Sequence, residues 1–510
     1  MNIKISRLLL FIAFLLPVTV QSQIQKMSAL SANKFLGVTT IYDDQGEDVW
    51  GYLSLYQKDK VEKEFLELEY VILDKNLNPV ANKEFEGDIT VGDYYAYMDF
   101  KGQIILQPSS LDYSLKTKEM FTPSSMVINV EKNEVKKKIH YDYDGKSFIE
   151  ISQPKNWKEN RKEDKTEKKE KGYNYISRVY EIKEGGFLVT EFHDYGTYIN
   201  NNSISRFDDT KKEIWKYKYN TSGDKKSKEI LNVIEKDENY IYAFLETNIK
   251  KEKSFNLLVL DIKTGKEVHN ESLSQPNTDV LDNILYLGRI DNSKNFDDNI
   301  VLLGRDYKKG NLMQSTGFVR LIIDKKTFKI ETKHLNYEIH LKKFIPKIDN
   351  YGGVEGSYVL IPKDVFFLKN GSVGILMEKY KPQGQYSASK TTDLVYIYTN
   401  KDFSLNGVQV FEKEKTKWVH SDYLFSQYLN DGKDVVFFYK DRQKDDETKE
   451  KNWNLFINTL IEGKFNQEIV PISSKENIIY PYVAKEGFIL LQEFNKKDKY
   501  NNVRLERLNY

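Results

Sequence analysis

The 510-residue chain has no cysteine. Disulfides, thiolate metal sites, a cysteine nucleophile and a lipidated N-terminal cysteine are all excluded by that one absence. Net charge is almost absent as well, with 77 Lys and Arg against 76 Asp and Glu. A balance this close gives no electrostatic footprint for nucleic acid or for an anionic membrane surface. Proline is scarce at 11 residues, and so are long hydrophobic runs. The longest, Leu8 to Leu16, falls short of the roughly 20 apolar residues that a membrane helix needs. The familiar catalytic patterns are missing too: there is no Gly-x-Ser-x-Gly elbow, no Walker-type loop and no His-Glu-x-x-His pair.

The Leu8 to Leu16 run follows Lys4 and Arg7, and Pro17 and the small-residue region Val20-Gln21-Ser22 come after it. This order reads as a secretory signal peptide over 1–22. The mature chain, 23–510, is then expected in the periplasm or outside a bacterial cell, with no transmembrane segment of its own. Losing Lys4 and Arg7 leaves 75 basic against 76 acidic residues. A chain of this length can bury a core without disulfide staples.

What the mature chain has in abundance is strand signal. No helical stripe of any length appears, and period-two or continuous apolar runs alternate with Gly, Asn, Asp and Lys clusters. One signature recurs about eight times: an apolar run, often opened by glycine and often closed by an acid. Its clearest copies run from Gly186 to Glu191, Gly371 to Glu378 and Gly487 to Glu493, with others at Val49 to Leu55, Gly102 to Leu106, Tyr240 to Glu246, Asn299 to Leu303 and Val435 to Tyr439. A polar-turned hairpin follows each copy. The best reads Leu257-Leu258-Val259-Leu260-Asp261-Ile262-Lys263-Thr264-Gly265-Lys266-Glu267-Val268, and related ones begin at Val71, Ile204 and Leu321. The order fits the second, third and fourth strands of a propeller blade. The fold class is therefore all-β, a single β-propeller. Counting copies gives eight blades, with the mature N-terminus closing the ring; seven blades, and more distantly two stacked β-domains, are the alternatives. Charged insertions near 155–171 and 440–451 read as solvated loops.

Glycine-led strands ending in Glu, followed by hairpins such as Phe207-Asp208-Asp209-Thr210-Lys211-Lys212-Glu213-Ile214-Trp215, resemble the repeats of exported bacterial β-propeller proteins, many without an assigned function. The hairpin is also similar to that of quinoprotein-like propellers, but Trp215 alone occupies the tryptophan position and no cofactor is expected. The resemblance implies a fold and a role in binding, with no catalytic residues carried over.

Candidate chemistry is thin. The histidines His140, His193, His269, His334, His340 and His420 are scattered; His334 and His340 could share a strand face, about 20 Å apart. Asp291-Asn292-Ser293-Lys294-Asn295-Phe296-Asp297-Asp298 spaces oxygen atoms as calcium loops do, and Asp142-Tyr143-Asp144-Gly145 is a fragment of that pattern; neither completes it, and no metal is expected. Glu191, Glu246, Glu378 and Glu493 recur at equivalent positions, which points to a blade's own bonding pattern, since catalysis needs asymmetry. No catalytic, cofactor or metal residue is assigned. The expected function is a non-enzymatic binding scaffold for an envelope or extracellular protein, using loops such as Lys379 to Thr392 with Tyr380 and Tyr386. The alternative is a carbohydrate-binding or carbohydrate-active protein with Trp50, Trp157, Trp215, Trp418 and Trp453 as stacking platforms.

Overall fold

The computed structural model describes residues 23–510 except 45, 47, 61–64, 89–93, 109–111, 115–118, 122–124, 138–139, 144–147, 152–173, 195–198, 220–226, 250–251, 273–289, 309–310, 383–388, 417–421, 445–450 and 498–500. The signal segment, the charged stretch 155–171, Trp157, Trp418, Tyr386 and His420 lie outside the described residues.

Nearly everything described is strand. Seven sheets carry four or more strands each, and they follow one another along the chain. The largest is two meanders: Lys34–Tyr42, Val49–Lys60, Phe65–Asp74 and Pro79–Asp88, then Tyr94–Met98, Ile104–Pro108, Met126–Asn129 and Glu134–Lys137. Only two parallel pairs join them, Ile41 with Ala96 and Tyr42 with Tyr97. Antiparallel meanders over 174–219, 227–272, 290–336, 353–411 and 423–471 come next. In the final sheet, Asn477–Val483, Phe488–Asn495 and Asn501–Arg507 are joined at the edge by Gln23–Lys26, with Ile24 opposite Arg504. A succession of small antiparallel meanders, each packed on the next, is a β-propeller scaffold.

All eight apolar runs read from the sequence are strands flanked on one side by a less regular strand and on the other by the hairpin. Seven are second strands, and the run from Gly371 to Glu378 forms the third strand of a five-stranded sheet that begins with the two-residue strand Gly353–Val354. Fourth strands such as Glu267–Ser272 and Lys464–Pro471 are largely exposed. First strands face a common inner space. The Lys294 ammonium lies 5.7 Å from the Tyr428 ring, skipping the sheet between, and Lys183 lies 3.9 Å from Asp44, skipping the second meander of the largest sheet.

The hairpin motif has a physical account. Asp261 opens its turn by accepting the N–H of Lys263 at 3.0 Å and of Thr264 at 2.7 Å, plus the Thr264 hydroxyl. Gly265 then adopts φ +67°, and a Cβ there would sit 2.5 Å from the Trp215 ring of the preceding sheet. The Trp215 indole donates to the Ile262 carbonyl at 3.0 Å. Asp324 repeats the turn with Lys326 and Thr327.

Two sequence expectations need correction here. Residues 440–444, assigned to a solvated loop, extend the strand Asp434–Lys444 and pair with Lys451–Ile461. The cause is Trp453, whose ring lies beneath Arg442 and Lys440 at 4.5 and 5.3 Å, so their stems cover apolar surface. His340 does not share a strand with His334. It belongs to a helical turn, Tyr337–Leu341, where the Asn336 side chain accepts the Ile339 N–H. Among the described residues no helix is long and apolar enough to cross a membrane.

Six of the seven larger apolar clusters are shared by neighbouring sheets, and the seventh is shared by the two meanders of the largest sheet. One contains Met27, Tyr52 and Tyr56 together with Leu490, Val503 and Leu505, so the first meander packs on the last sheet. Met27 is fully buried, and the Tyr56 hydroxyl donates to its carbonyl at 3.0 Å. We expect Met27→Ala to lower unfolding free energy by about 2–5 kcal/mol, measured by chemical denaturation.

Candidate functional site

The acids expected at strand ends lie inside their strands, which run on past them to Asp194, Ile249, Lys381 and Asn495, and the structure hides most of them. Glu191, Glu246 and Glu378 are buried, and Glu493 pairs with Arg504 at 3.4 Å. Two further acids follow apolar runs in the same way, Asp306 and Asp441, both buried. Sequence reading missed them because Gly304 and Arg305 separate Asp306 from its apolar run and Lys440 separates Asp441 from its own.

Glu378 shows what such burial requires. Its carboxylate is held by two ammonium groups, Lys363 at 3.0 Å and Lys413 at 3.5 Å. Lys363 is the extra residue of a bulge, since the ladder steps from Pro362–Met377 to Asp364–Leu376. Lys413 lies on the connection to the next sheet with its side chain 0% exposed, and it binds Asp422 at 2.6 Å. The Thr416 hydroxyl donates to Asp422 and meets the Thr391 hydroxyl at 2.7 Å. Beside this group, burial pushes the Asp441 carboxyl above its usual range, outweighing the N–H bonds it accepts from Glu414 and Arg442. Burial also works against ionised Asp393, but there the Lys379 ammonium at 2.6 Å wins and holds the carboxyl below its usual range. Chemically this is a seam between the sheets 353–411 and 423–471, closed to solvent and internally paired. Among the described residues no group of three or more His, Asp or Glu could hold a metal ion.

The remaining candidates fall apart as a site. His334 meets Asp306 at 3.2 Å, and His269 meets Glu271 at 3.5 Å. The side chains of His140 and His193 lie outside the described residues. Ile290–Asn295 is a first strand, not a calcium-type loop, and Asp298 pairs with Lys326 at 2.8 Å. Asp142 and Tyr143 end a strand, with Asp144 and Gly145 outside the described residues. The loop read over 379–392 is shorter, because strands run to Lys381 and resume at Lys390, and the Tyr380 hydroxyl is engaged with Ser389 at 2.8 Å. Of the described tryptophans, Trp215 is buried between sheets, and Trp50 and Trp453 are half-buried against apolar clusters. None of the three offers an open platform for a sugar ring.

What does face outward is the inner space on the side where first strands turn into second strands. An open depression of about 830 Å³ there is lined by Phe100, Lys183, Glu184, Glu235, Asp237 and Lys294 among others. Four successive meanders contribute to it. Across the inner space, the Tyr423 hydroxyl donates to Asp364, which also accepts the Ser426 hydroxyl at 2.5 Å. Burial, then Asp364, pushes the Tyr423 phenol far up, and Tyr42 adds to the effect.

No family model and no curated protein matches the chain. Among solved structures, it is similar to the β-propeller domain of the Trilobed protease from Pyrococcus furiosus (12% identity, 85% of this chain and 95% of that one, TM-score 0.29). It is also similar to the WD40 domain of SCAP from fission yeast (10%, 95% and 94%, TM-score 0.32) and to a PL25 polysaccharide lyase, an ulvan lyase (10%, 81% and 91%, TM-score 0.34). At these TM-scores the likenesses carry no weight for fold or ligand, and the propeller assignment rests on the strand order above.

Two stability measurements follow. Lys413→Met leaves Asp422 and Glu378 buried without their shared cation and is expected to cost about 3–5 kcal/mol by denaturant titration. Asp393→Asn is expected to cost about 1.5–3 kcal/mol at neutral pH. Because the folded carboxyl is held below the unfolded value of about 4, that contribution is present above this pH and lost below it. The gap between variant and parent should therefore close on acidification.

Proposed function

We propose that this protein is an exported, non-enzymatic binding scaffold: a ring of eight four-stranded blades, the last completed by Gln23–Lys26, that engages a protein of the bacterial envelope or extracellular space. The eight-blade count takes the largest sheet as two blades, since only two parallel pairs join its meanders. Closure by the N-terminal strand is supported by its pairing with Asn501–Arg507 and by the cluster shared between the first meander and the last sheet.

The observation that carries the binding role is a contrast. The repeated acids, which would have to converge on a substrate in an enzyme, are buried or ion-paired within and between sheets. The open depression instead mixes both signs of charge with an exposed aromatic, Phe100, on short turns held by a rigid sheet framework. Such a surface suits recognition by complementarity.

The test is an affinity pull-down of mature protein from native envelope extract, read by mass spectrometry, beside the double variant Lys183→Glu with Lys294→Glu. A stoichiometric, salt-tolerant protein partner should co-purify with the parent and drop by about tenfold or more with the variant, as for loss of charged contacts at an interface. Recovery of background alone from the parent would overturn the proposal.

A further inference from the structure

Ile41 and Ala96 face each other across the parallel joint and point into the apolar core between the two meanders. Side chains alternate along a strand, so Tyr42, Tyr95 and Tyr97 share the opposite side. Their rings form a run. Tyr42 and Tyr95 stack with centroids 5.8 Å apart and planes 27° from parallel, and Tyr97 lies 5.6 Å beyond Tyr95. Tyr95 is 46% exposed. Many large rings elsewhere are fully buried, Tyr52, Tyr56, Tyr70, Tyr242 and Tyr396 among them, whereas Phe100, Phe344, Tyr480 and Tyr510 are exposed like Tyr95. Core packing does not account for a stacked run with one open face.

The charge around the run has a sign. Its two strands end in turns that carry Asp43, Asp44, Asp48 and Asp99. Lys101 and Lys183 are the nearby bases; Lys101 reaches Asp209, and Lys183 stands 3.9 Å from Asp44. Tyrosine ring faces are electron-rich, and burial, then Tyr95, pushes the Tyr42 phenol up to about 12, so it stays neutral at physiological pH. The same inner space already contains one such pairing, the Lys294 ammonium over the Tyr428 ring.

We propose that the Tyr42–Tyr95–Tyr97 run is a docking platform for a cationic side chain, arginine or lysine, presented by an extended segment of the protein partner. The proposal rests on the scaffold reading above and adds the chemistry of what enters. A guanidinium stacks flat on the open tyrosine face while the flanking aspartates balance its charge. A neutral sugar ring would gain the stacking and hydrogen bonds to the aspartates, but no charge compensation.

The test titrates mature protein with the pentapeptide Gly-Arg-Gly-Arg-Gly and with its citrulline counterpart, which keeps the shape and removes the charge, at near-physiological ionic strength. The arginine peptide should bind measurably better than the citrulline peptide. Tyr95→Leu should weaken the arginine peptide by roughly two- to thirty-fold, while Tyr95→Phe, which keeps a ring face, should stay close to the parent. Equal binding of the two peptides, no binding of either, or an unchanged affinity in a Tyr95→Leu protein that melts like the parent would each overturn the platform. If the pull-down partner survives Tyr95→Leu but is lost with Lys183→Glu and Lys294→Glu, the scaffold reading stands and this inference alone fails.

Discussion

No sheet in this protein can hide its own two faces. A four-stranded meander has apolar residues on both sides of its second and third strands, and water must be kept from both. The solution is sharing: Phe244 and Leu257 of one sheet pack with Leu302 and Leu321 of the next, and Tyr396 of another stacks on Phe437 of its neighbour at 5.9 Å. Much of the remaining chemistry serves that packing. Gly265 is glycine because the Trp215 ring occupies the place of its side chain, and the Asp261 turn fixes the backbone that presents the Ile262 carbonyl to the indole. A motif that looks functional in sequence is a joint between sheets.

The same constraint governs charge. Where Glu378 and Lys413 are enclosed between two sheets, neither can be removed cheaply, because the partner left behind would be a buried, unpaired ion. The seam of Lys363, Glu378, Lys413 and Asp422 specifies how the two sheets register, at a cost in desolvation that three ion pairs and two threonine hydroxyls offset. The surface proposed for recognition lies in the inner space, where first strands turn and their rings and charges meet solvent.

The second strands were legible in the sequence because continuous apolar runs survive wherever both faces are covered. The hairpins were legible because Asp and Gly at fixed offsets have a local cause. First strands were not: Ile290–Asn295 is polar enough to look like a calcium turn. An inner strand faces partly into open space, so its pattern loses the alternation that marks a buried sheet. Glu191, Glu246 and Glu378, read from the sequence as a structural pattern, are buried, but the partners of Glu378 could not be read. Lys413 comes 35 positions after Glu378, and only the crossing between sheets brings them together. The helical turn at His340 was missed because its cap, Asn336, ends a strand.

The account stands or falls on the proposed ring, and the absence of cysteine makes it directly measurable. Ile24 and Arg504 are paired across the strands that would complete the last blade. Antiparallel partners have Cα atoms about 4.5–5.5 Å apart, within the span a disulfide bridges. In mature protein carrying Ile24→Cys and Arg504→Cys, oxidation should give one intramolecular disulfide in the monomer, seen as a faster band on a non-reducing gel and as a cross-linked peptide by mass spectrometry. Free thiols under oxidation, or covalent dimers in place of the monomer band, would contradict the closed ring.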